Sequence, residues 1–256
     1  MRALERIDRT DWAATGVAVL RGALAPDVVA ELDRWTTEVE TWAREGGPGL
    51  HHFEQTSHGA ALARSEDVVD HHAGLERFLR DGPVAPVLAE LFSEAPILFK
   101  EKVNYKQPGG AGFAPHQDAT AYRFVDHHLS VAIPLDPATE RSGCLWFADW
   151  FEPRATLPHT DGRIAPEWCG VVEWRPVELD PGDVVVFDSY APHRSETNHA
   201  DRARRTWYVT YNAESAGDWR DRYYADKRAL LDEVGDGDTA RISVNDDFLG
   251  IPVTGD

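Results

Sequence analysis

From residue 97 onward the chain breaks into short apolar or alternating runs, at residues 97–106, 129–135, 144–148, 171–179, 184–188 and 205–211, separated by Gly, Pro and Asp. A strand sends successive side chains to opposite faces, and turn residues at this spacing fold such runs back on one another. The expectation is an antiparallel sandwich or barrel, not alternating βαβ units. Upstream the period changes. Val28, Val29, Leu32, Trp35, Val39 and Trp42 recur at helical spacing after Pro26, and Gly46-Gly47 ends the run. Ser65 reads as the cap of a second helix through Val68, Val69, Leu75, Phe78 and Leu79, stopping near Gly82-Pro83, and a third runs over residues 84–92. Residues 46–63 show no period and read as loop. A last helix, capped near Ser215, is expected over residues 218–234, before a polar tail of twenty residues. No repeat or linker interrupts the chain, so one domain is expected over 1–256: a helical layer (1–95), a β core (96–212), and a C-terminal helix with tail (213–256).

Composition narrows the class. The 256 residues are 42% hydrophobic and 10% aromatic, enough for a substantial core. No apolar run reaches the length of a membrane helix, and the opening residues do not resemble a secretory leader. Cys144 and Cys169 cannot build a disulfide framework, and the expected location is the cytoplasm. A net charge of −18 repels phosphate backbones and anionic lipid, so a small molecule is the expected partner, with neither nucleic acid nor membrane. Only four residues are lysines, and Lys100, Lys102 and Lys106 fall in one seven-residue stretch. By composition alone that stretch reads as a solvated strand face. If instead it lines a barrel, Lys100, Lys102, Asn104 and Lys106 share a face able to neutralise a phosphonate, phosphate or carboxylate.

Histidine and aspartate two apart on a strand can hold one metal ion. With 11 His and 25 Asp, chance supplies about one His-x-Asp, and the chain has three: His116/Asp118, His159/Asp161 and His199/Asp201. His159 leads into a Thr-Asp-Gly turn, and His199 sits in a polar run. His116 follows a strand and the glycine-rich bend at residues 108–113, so this pair is preferred. His193, just after the strongly apolar run 184–187, is the best third ligand. Two histidines and one carboxylate form a facial triad that suits non-haem Fe(II) and leaves positions open. Eleven residues on, Arg204 opens a strand in which Arg204, Thr206, Tyr208 and Thr210 share one face. A guanidinium there can hold a carboxylate bidentately, and Ser195 can add a hydroxyl to the same anion. Arg205, on the packing face, reads as a surface charge. Gln117, Thr120, Tyr122 and Arg123 follow the metal motif closely and are candidate substrate contacts, as are Lys100 and Lys106. Of nine tryptophans, Trp146 is the candidate for an aromatic contact. The pairs His51-His52, His71-His72 and His127-His128 read as surface or loop residues.

The ordered set His116-Gln-Asp118, Ser142-Gly-Cys-Leu145, His193 and Arg204 resembles the phytanoyl-CoA dioxygenase family of Fe(II)/2-oxoglutarate oxygenases, over roughly residues 98–212. The resemblance implies a double-stranded β-helix, a jelly-roll barrel with flanking helices. It implies Fe(II) held by His116, Asp118 and His193, and 2-oxoglutarate held by Arg204 and Ser195, with Lys102 and Asn104 contributing from the preceding strand. It also implies hydroxylation by dioxygen of an unactivated C–H bond in a small anionic or zwitterionic substrate, with succinate and carbon dioxide as co-products. Related halogenases lack the carboxylate that Asp118 supplies, which favours hydroxylation. The chain departs from many relatives at residues 148–152, Ala-Asp-Trp-Phe-Glu in place of Pro-Gly-Ser-His, so the substrate does not follow from the family. Residues 98–106 with 112–116 are similar to the branch containing aminoalkylphosphonate hydroxylases, and the motif differs from that of ectoine hydroxylases. Two alternatives stay open: a cupin-like metalloenzyme that does not use 2-oxoglutarate, and a non-catalytic binding domain on the same fold.

Overall fold

The computed structural model describes residues 9–56, 59–121, 124–234 and 252–253, so the expected tail lies outside the described residues except for Pro252 and Val253. In chain order the elements are α1 (Arg9–Thr15), β1 (Val17–Leu20), α2 (Pro26–Glu45), β2 (Leu50–Thr56), β3 (Gly59–Glu66), α3 (Ala73–Asp81) and α4 (Ala85–Phe92). There follow β4 (Pro96–Lys106), β5 (Gly112–His116), β6 (Leu129–Pro134), β7 (Leu145–Ala148), β8 (His159–Thr160), β9 (Arg163–Ile164) and α5 (Pro166–Cys169). The chain continues through β10 (Trp174–Val177), β11 (Val184–Asp188), β12 (His193–Ser195), β13 (Arg204–Ala213), α6 (Arg220–Val234) and β14 (Pro252–Val253).

The strands form two antiparallel sheets. The major sheet runs β1-β11-β6-β13-β4-β3-β2; the minor sheet runs β10-β7-β12-β5-β9-β8, with β14 paired to β5. Their inner faces meet through Ala132, Val185 and Phe187 from the major sheet and Leu145 and Phe147 from the minor, with Phe147 and Phe187 ring centroids 5.3 Å apart. This is the double-stranded β-helix arrangement. Among the described residues no helix is long and apolar enough to cross a membrane.

Helices α2, α3 and α4 cover the outer face of the major sheet. Alternation along β13 explains this: Trp207, Val209 and Tyr211 join Val103 and Tyr105 of β4 in the outer core with Leu32, Val39, Leu75 and Leu88 of the helices. Helix α2 starts on Pro26 and stops at Gly46, whose φ of 73° makes the left-handed cap that a side chain resists. Two buried polar links key the layers. Trp207 Nε1 donates to Thr36 Oγ1 at 2.9 Å, and the Tyr211 hydroxyl donates to the Leu79 carbonyl at 2.7 Å. Each is worth about 1 kcal/mol net, whereas truncating Trp207 to alanine costs ~3–5 kcal/mol, so packing dominates.

Several expectations are corrected. Residues 46–63 are not loop: most of them belong to the β2–β3 hairpin, whose buried side chains, His52, Ser65 and Glu66, are polar and leave no apolar period. His52, Arg64 and Glu66 are cross-strand neighbours there, with His52 Nε2 2.7 Å from Glu66 Oε1 and Lys227 Nζ of α6 at 2.7 Å from the same carboxylate. Ser65 is therefore a strand residue, and α3 is capped by His72, whose Nδ1 accepts from Leu75 N at 3.1 Å. His52 and His128 are buried, not surface residues. Arg205 is no free surface charge; it forks onto Asp136 (2.9 and 3.0 Å) and reaches Asp33 at 2.8 Å, tying β13 to α2. The His159/Asp161 segment is the expected turn, Asp161 and Gly162 both taking positive φ between β8 and β9.

Candidate functional site

β5 and β12 pair in the minor sheet with His116 opposite His193, which brings their rings to a centroid separation of 4.2 Å. Gly112 makes the close pairing possible, since a Cβ there would lie 2.0 Å from the Ser195 carbonyl oxygen. Each histidine donates its Nδ1 proton to the carbonyl two residues earlier, His116 to Ala114 at 2.7 Å and His193 to Ala191 at 3.0 Å. Those bonds fix the tautomer and leave both Nε2 lone pairs for a ligand. Asp118 is not on the strand as the spacing argument supposed. β5 ends at His116, and Asp118 opens a 3₁₀ turn over 118–121 that swings its carboxylate back. Its Oδ1 lies 3.9 Å from His116 Nε2 and 3.8 Å from His193 Nε2, and one ligand atom from each residue falls within 4.8 Å of the others.

The donor set, two imidazoles and one carboxylate, fits a divalent non-haem iron. Burial pushes the His116 imidazole down to about 3, with His193 adding to the effect, so it is neutral and ready to ligate at physiological pH. Burial pushes the Asp118 carboxyl up, but His193, His116, Lys100 and Lys102 outweigh it and hold the group well below the usual carboxylate range. Its other oxygen, Oδ2, accepts from the Ser130 hydroxyl of β6 at 2.8 Å. Phe147 and Phe187 flank His193, at ring centroid distances of 5.8 and 4.8 Å, and give the centre a dry wall.

On the major sheet the cavity face is polar. Lys100, Lys102, Asn104 and Lys106 of β4 stand in register with Thr210, Tyr208, Thr206 and Arg204 of β13. Arg204 and Lys106 occupy one end: Arg204 Nε donates to Ser142 O (3.1 Å), Nη2 to Gly143 O (3.1 Å) and Nη1 to Thr206 Oγ1 (2.9 Å). The Ser142-Gly-Cys-Leu145 motif is thus the seat of the arginine. Gly143 takes φ 71°, and a Cβ there would lie 2.3 Å from Glu196 O. Lys100 and Lys102 occupy the Asp118 end. Burial, then the neighbouring Lys102, pulls the Lys100 ammonium well below its ordinary value; burial, then Arg64, brings Lys102 down to about 8. Asn104 Oδ1 accepts from Arg64 Nε at 3.3 Å.

Other candidates fall elsewhere. Trp146 follows the alternation of β7 to the opposite face from Phe147, outside the metal cavity, where the Arg194 guanidinium carbon lies 5.1 Å from its ring and 5.2 Å from that of Trp174. Gln117 is 1% exposed, and its amide is spent on backbone: Nε2 donates to Ala155 O and Tyr190 O, and Oε1 accepts from Leu157 N at 2.7 Å. It pins the loops beside the metal motif. Thr120 closes its own turn on Gln117 O at 2.9 Å. Tyr122 and Arg123 lie outside the described residues. Sequence reasoning missed Ser130, Arg64, Glu66 and Lys227. Only the long apolar period of residues 129–135, broken by one serine, hinted at the first.

The phytanoyl-CoA dioxygenase (PhyH) family model matches residues 12–206. The chain is 41% identical over 252 residues to a methylphosphonate hydroxylase of Gimesia maris, covering 96% of this chain and 95% of that protein. It is 38% identical over 225 residues to a 2-aminoethylphosphonate dioxygenase of an uncultured bacterium, covering 86% of each. Among solved structures, the epimerase SnoN in complex with Fe3+, alpha ketoglutarate and nogalamycin RO superposes with a TM-score of 0.69 at 19% identity, over 99% of this chain and 96% of that one. EctD from S. alaskensis with 2-oxoglutarate and 5-hydroxyectoine gives 0.68 at 18% identity, over 84% and 77%. At these identities the two structures speak for the fold alone.

Proposed function

This chain belongs to the phytanoyl-CoA dioxygenase family, and on that premise we propose that it hydroxylates a small organophosphonate at a carbon next to phosphorus. It is an Fe(II)- and 2-oxoglutarate-dependent dioxygenase. The observation that carries the substrate reading is the gathering of three basic side chains, buried Lys100 with half-buried Lys102 and Arg64, on the cavity face at the Asp118 end. Basic side chains converging on one cavity face favour an anionic group there, and a phosphonate dianion carries the charge to bridge them. The names of the two curated relatives, acting on methylphosphonate and 2-aminoethylphosphonate, point the same way.

In this reading His116, Asp118 and His193 hold the iron. When bound, iron with 2-oxoglutarate supplies the oxidising power, so that dioxygen is consumed, 2-oxoglutarate leaves as succinate and carbon dioxide, and the substrate C–H becomes C–OH. The protein's share is placement. Arg204 and Ser195 hold the distal carboxylate of 2-oxoglutarate; Lys102 and Asn104 line the strand face between that carboxylate and the substrate. Lys100, Lys102 and Arg64 anchor the phosphonate so that its α-carbon faces the metal, and Phe147 and Phe187 keep water from the reacting carbon.

The test is a substrate panel of methylphosphonate, 2-aminoethylphosphonate, and the matching phosphates and carboxylates, scored by succinate release and 31P NMR. Succinate release coupled to a new hydroxyphosphonate resonance is expected for phosphonates. Coupled turnover of the carboxylates alone would refute the substrate reading while leaving the oxygenase class in place.

A further inference from the structure

We infer, on the reading that this enzyme uses 2-oxoglutarate, that Lys106 is a positioning residue for the distal carboxylate of that co-substrate: it loads the Ser195 hydroxyl oxygen so that the hydroxyl proton is left to donate beside Arg204. A serine hydroxyl has one proton and two lone pairs. Lys106 Nζ lies 3.1 Å from Ser195 Oγ, and the Phe113 amide nitrogen lies 3.2 Å from it. An ammonium and an amide N–H only donate, so both lone pairs are spent. Among the described residues no acceptor takes the remaining proton. Ser195 stands two residues beyond His193 on β12, and alternation gives it the face that carries the histidine ring.

The same inventory applied to Arg204 leaves two of its five N–H donors after Ser142 O, Gly143 O and Thr206 Oγ1 are served. The Gly143 carbonyl joins the two cations, accepting from Arg204 Nη2 at 3.1 Å and from Lys106 Nζ at 3.2 Å. The third acceptor of the Lys106 ammonium is the Glu196 carbonyl, while the Glu196 carboxylate turns away to Arg194 at 2.6 Å. Two buried cations therefore share neutral partners. Burial first and Arg204 second bring the Lys106 ammonium down to about 7. Like charges held together with three unspent donors describe an anion site, and a carboxylate satisfies all three donors at once. Lys106 itself touches no part of that anion in this arrangement; it acts through Ser195 and through its charge.

The experiment is anaerobic titration of the Fe(II) protein with 2-oxoglutarate, followed by its visible charge-transfer band, in wild type, Lys106→Met, Ser195→Ala and the double variant. A parallel titration uses 2-oxopentanoate, which keeps the keto-acid head and lacks the distal carboxylate. Lys106→Met is expected to weaken 2-oxoglutarate by roughly 10–100-fold, as for a lost hydrogen bond to a charged group, and to leave 2-oxopentanoate within about twofold. Added to Ser195→Ala, it should cost much less than it does alone. Unchanged 2-oxoglutarate affinity, equal losses for both keto acids, or full additivity with Ser195→Ala would overturn the assignment. Where Lys106→Met does not fold, Lys106→Arg is read instead, because a planar fork cannot reproduce three convergent ammonium bonds; the same discrimination between the two keto acids is expected. A wild-type protein that binds Fe(II) yet gives no band with 2-oxoglutarate would instead remove the co-substrate reading.

Discussion

Ser130→Ala isolates one hydrogen bond in the proposed metal centre. Ser130 is buried on β6, and its hydroxyl donates to Asp118 Oδ2 at 2.8 Å, on the oxygen that does not face the two histidines. Asp118 stands at the start of a 3₁₀ turn, where the neighbouring Ala119 amide is tied to Ser189 O at 2.8 Å. Without Ser130, the oxygen loses a charge-assisted bond, and Oδ1 is no longer held toward the metal. Outer partners of metal ligands typically contribute 10–100-fold in metal affinity, about 1.4–2.8 kcal/mol. The volume change is a single hydroxyl, so the fold is expected to survive. The assay is Fe(II) affinity by anaerobic competition against a chromogenic chelator, with circular dichroism as the folding control. Wild-type Fe(II) affinity in a folded Ser130→Ala protein would refute the argument that Asp118 is held for iron by this bond.

Three further outcomes follow from the charges and the strand faces. Because the Lys106 ammonium sits near 7 in the free protein, it is charged below that pH and neutral above it, so the KM for 2-oxoglutarate should rise as pH increases through about 7; a flat profile between pH 6 and 8.5 in the wild type would contradict this. Lys227→Met leaves Glu66 buried with His52 as its remaining close partner, and urea denaturation should show a loss of ~3–5 kcal/mol, partly recovered when Glu66→Gln is added. Trp146→Leu should leave kcat and both KM values within twofold, while loss of the Arg194 contact lowers stability by about 0.5–1 kcal/mol; a large rise in substrate KM would return Trp146 to the cavity.

The β core was legible because its strands obey an alternation that sequence preserves. Trp207 and Tyr211 pack under the helices and Arg204 faces the cavity, as the period of two requires. The helix from Pro26 was equally plain, having a proline start and a glycine stop. The β2–β3 hairpin was not, because its inward positions are His52, Arg64 and Glu66, the last of these paired with Lys227 from the far end of the chain. A buried strand made of charges looks like loop until its distant partner is known. The candidate metal ligands could be picked from three His-x-Asp pairs by turn chemistry, yet the reason Asp118 reaches the two histidines, a 3₁₀ turn with a serine behind it, is tertiary. Trp146 and Gln117 were harder to place for another reason. Proximity in sequence to a functional residue says nothing of which face a side chain takes, or of whether backbone groups have already claimed it.

The most direct test of the central claim is turnover of methylphosphonate or 2-aminoethylphosphonate under 18O2, with mass spectrometry of both products. A dioxygenase of this kind places one labelled atom in succinate and one in the hydroxyl of the phosphonate, in equal amounts and only when 2-oxoglutarate is present. Unlabelled succinate, or a hydroxyphosphonate formed without 2-oxoglutarate, would contradict the account.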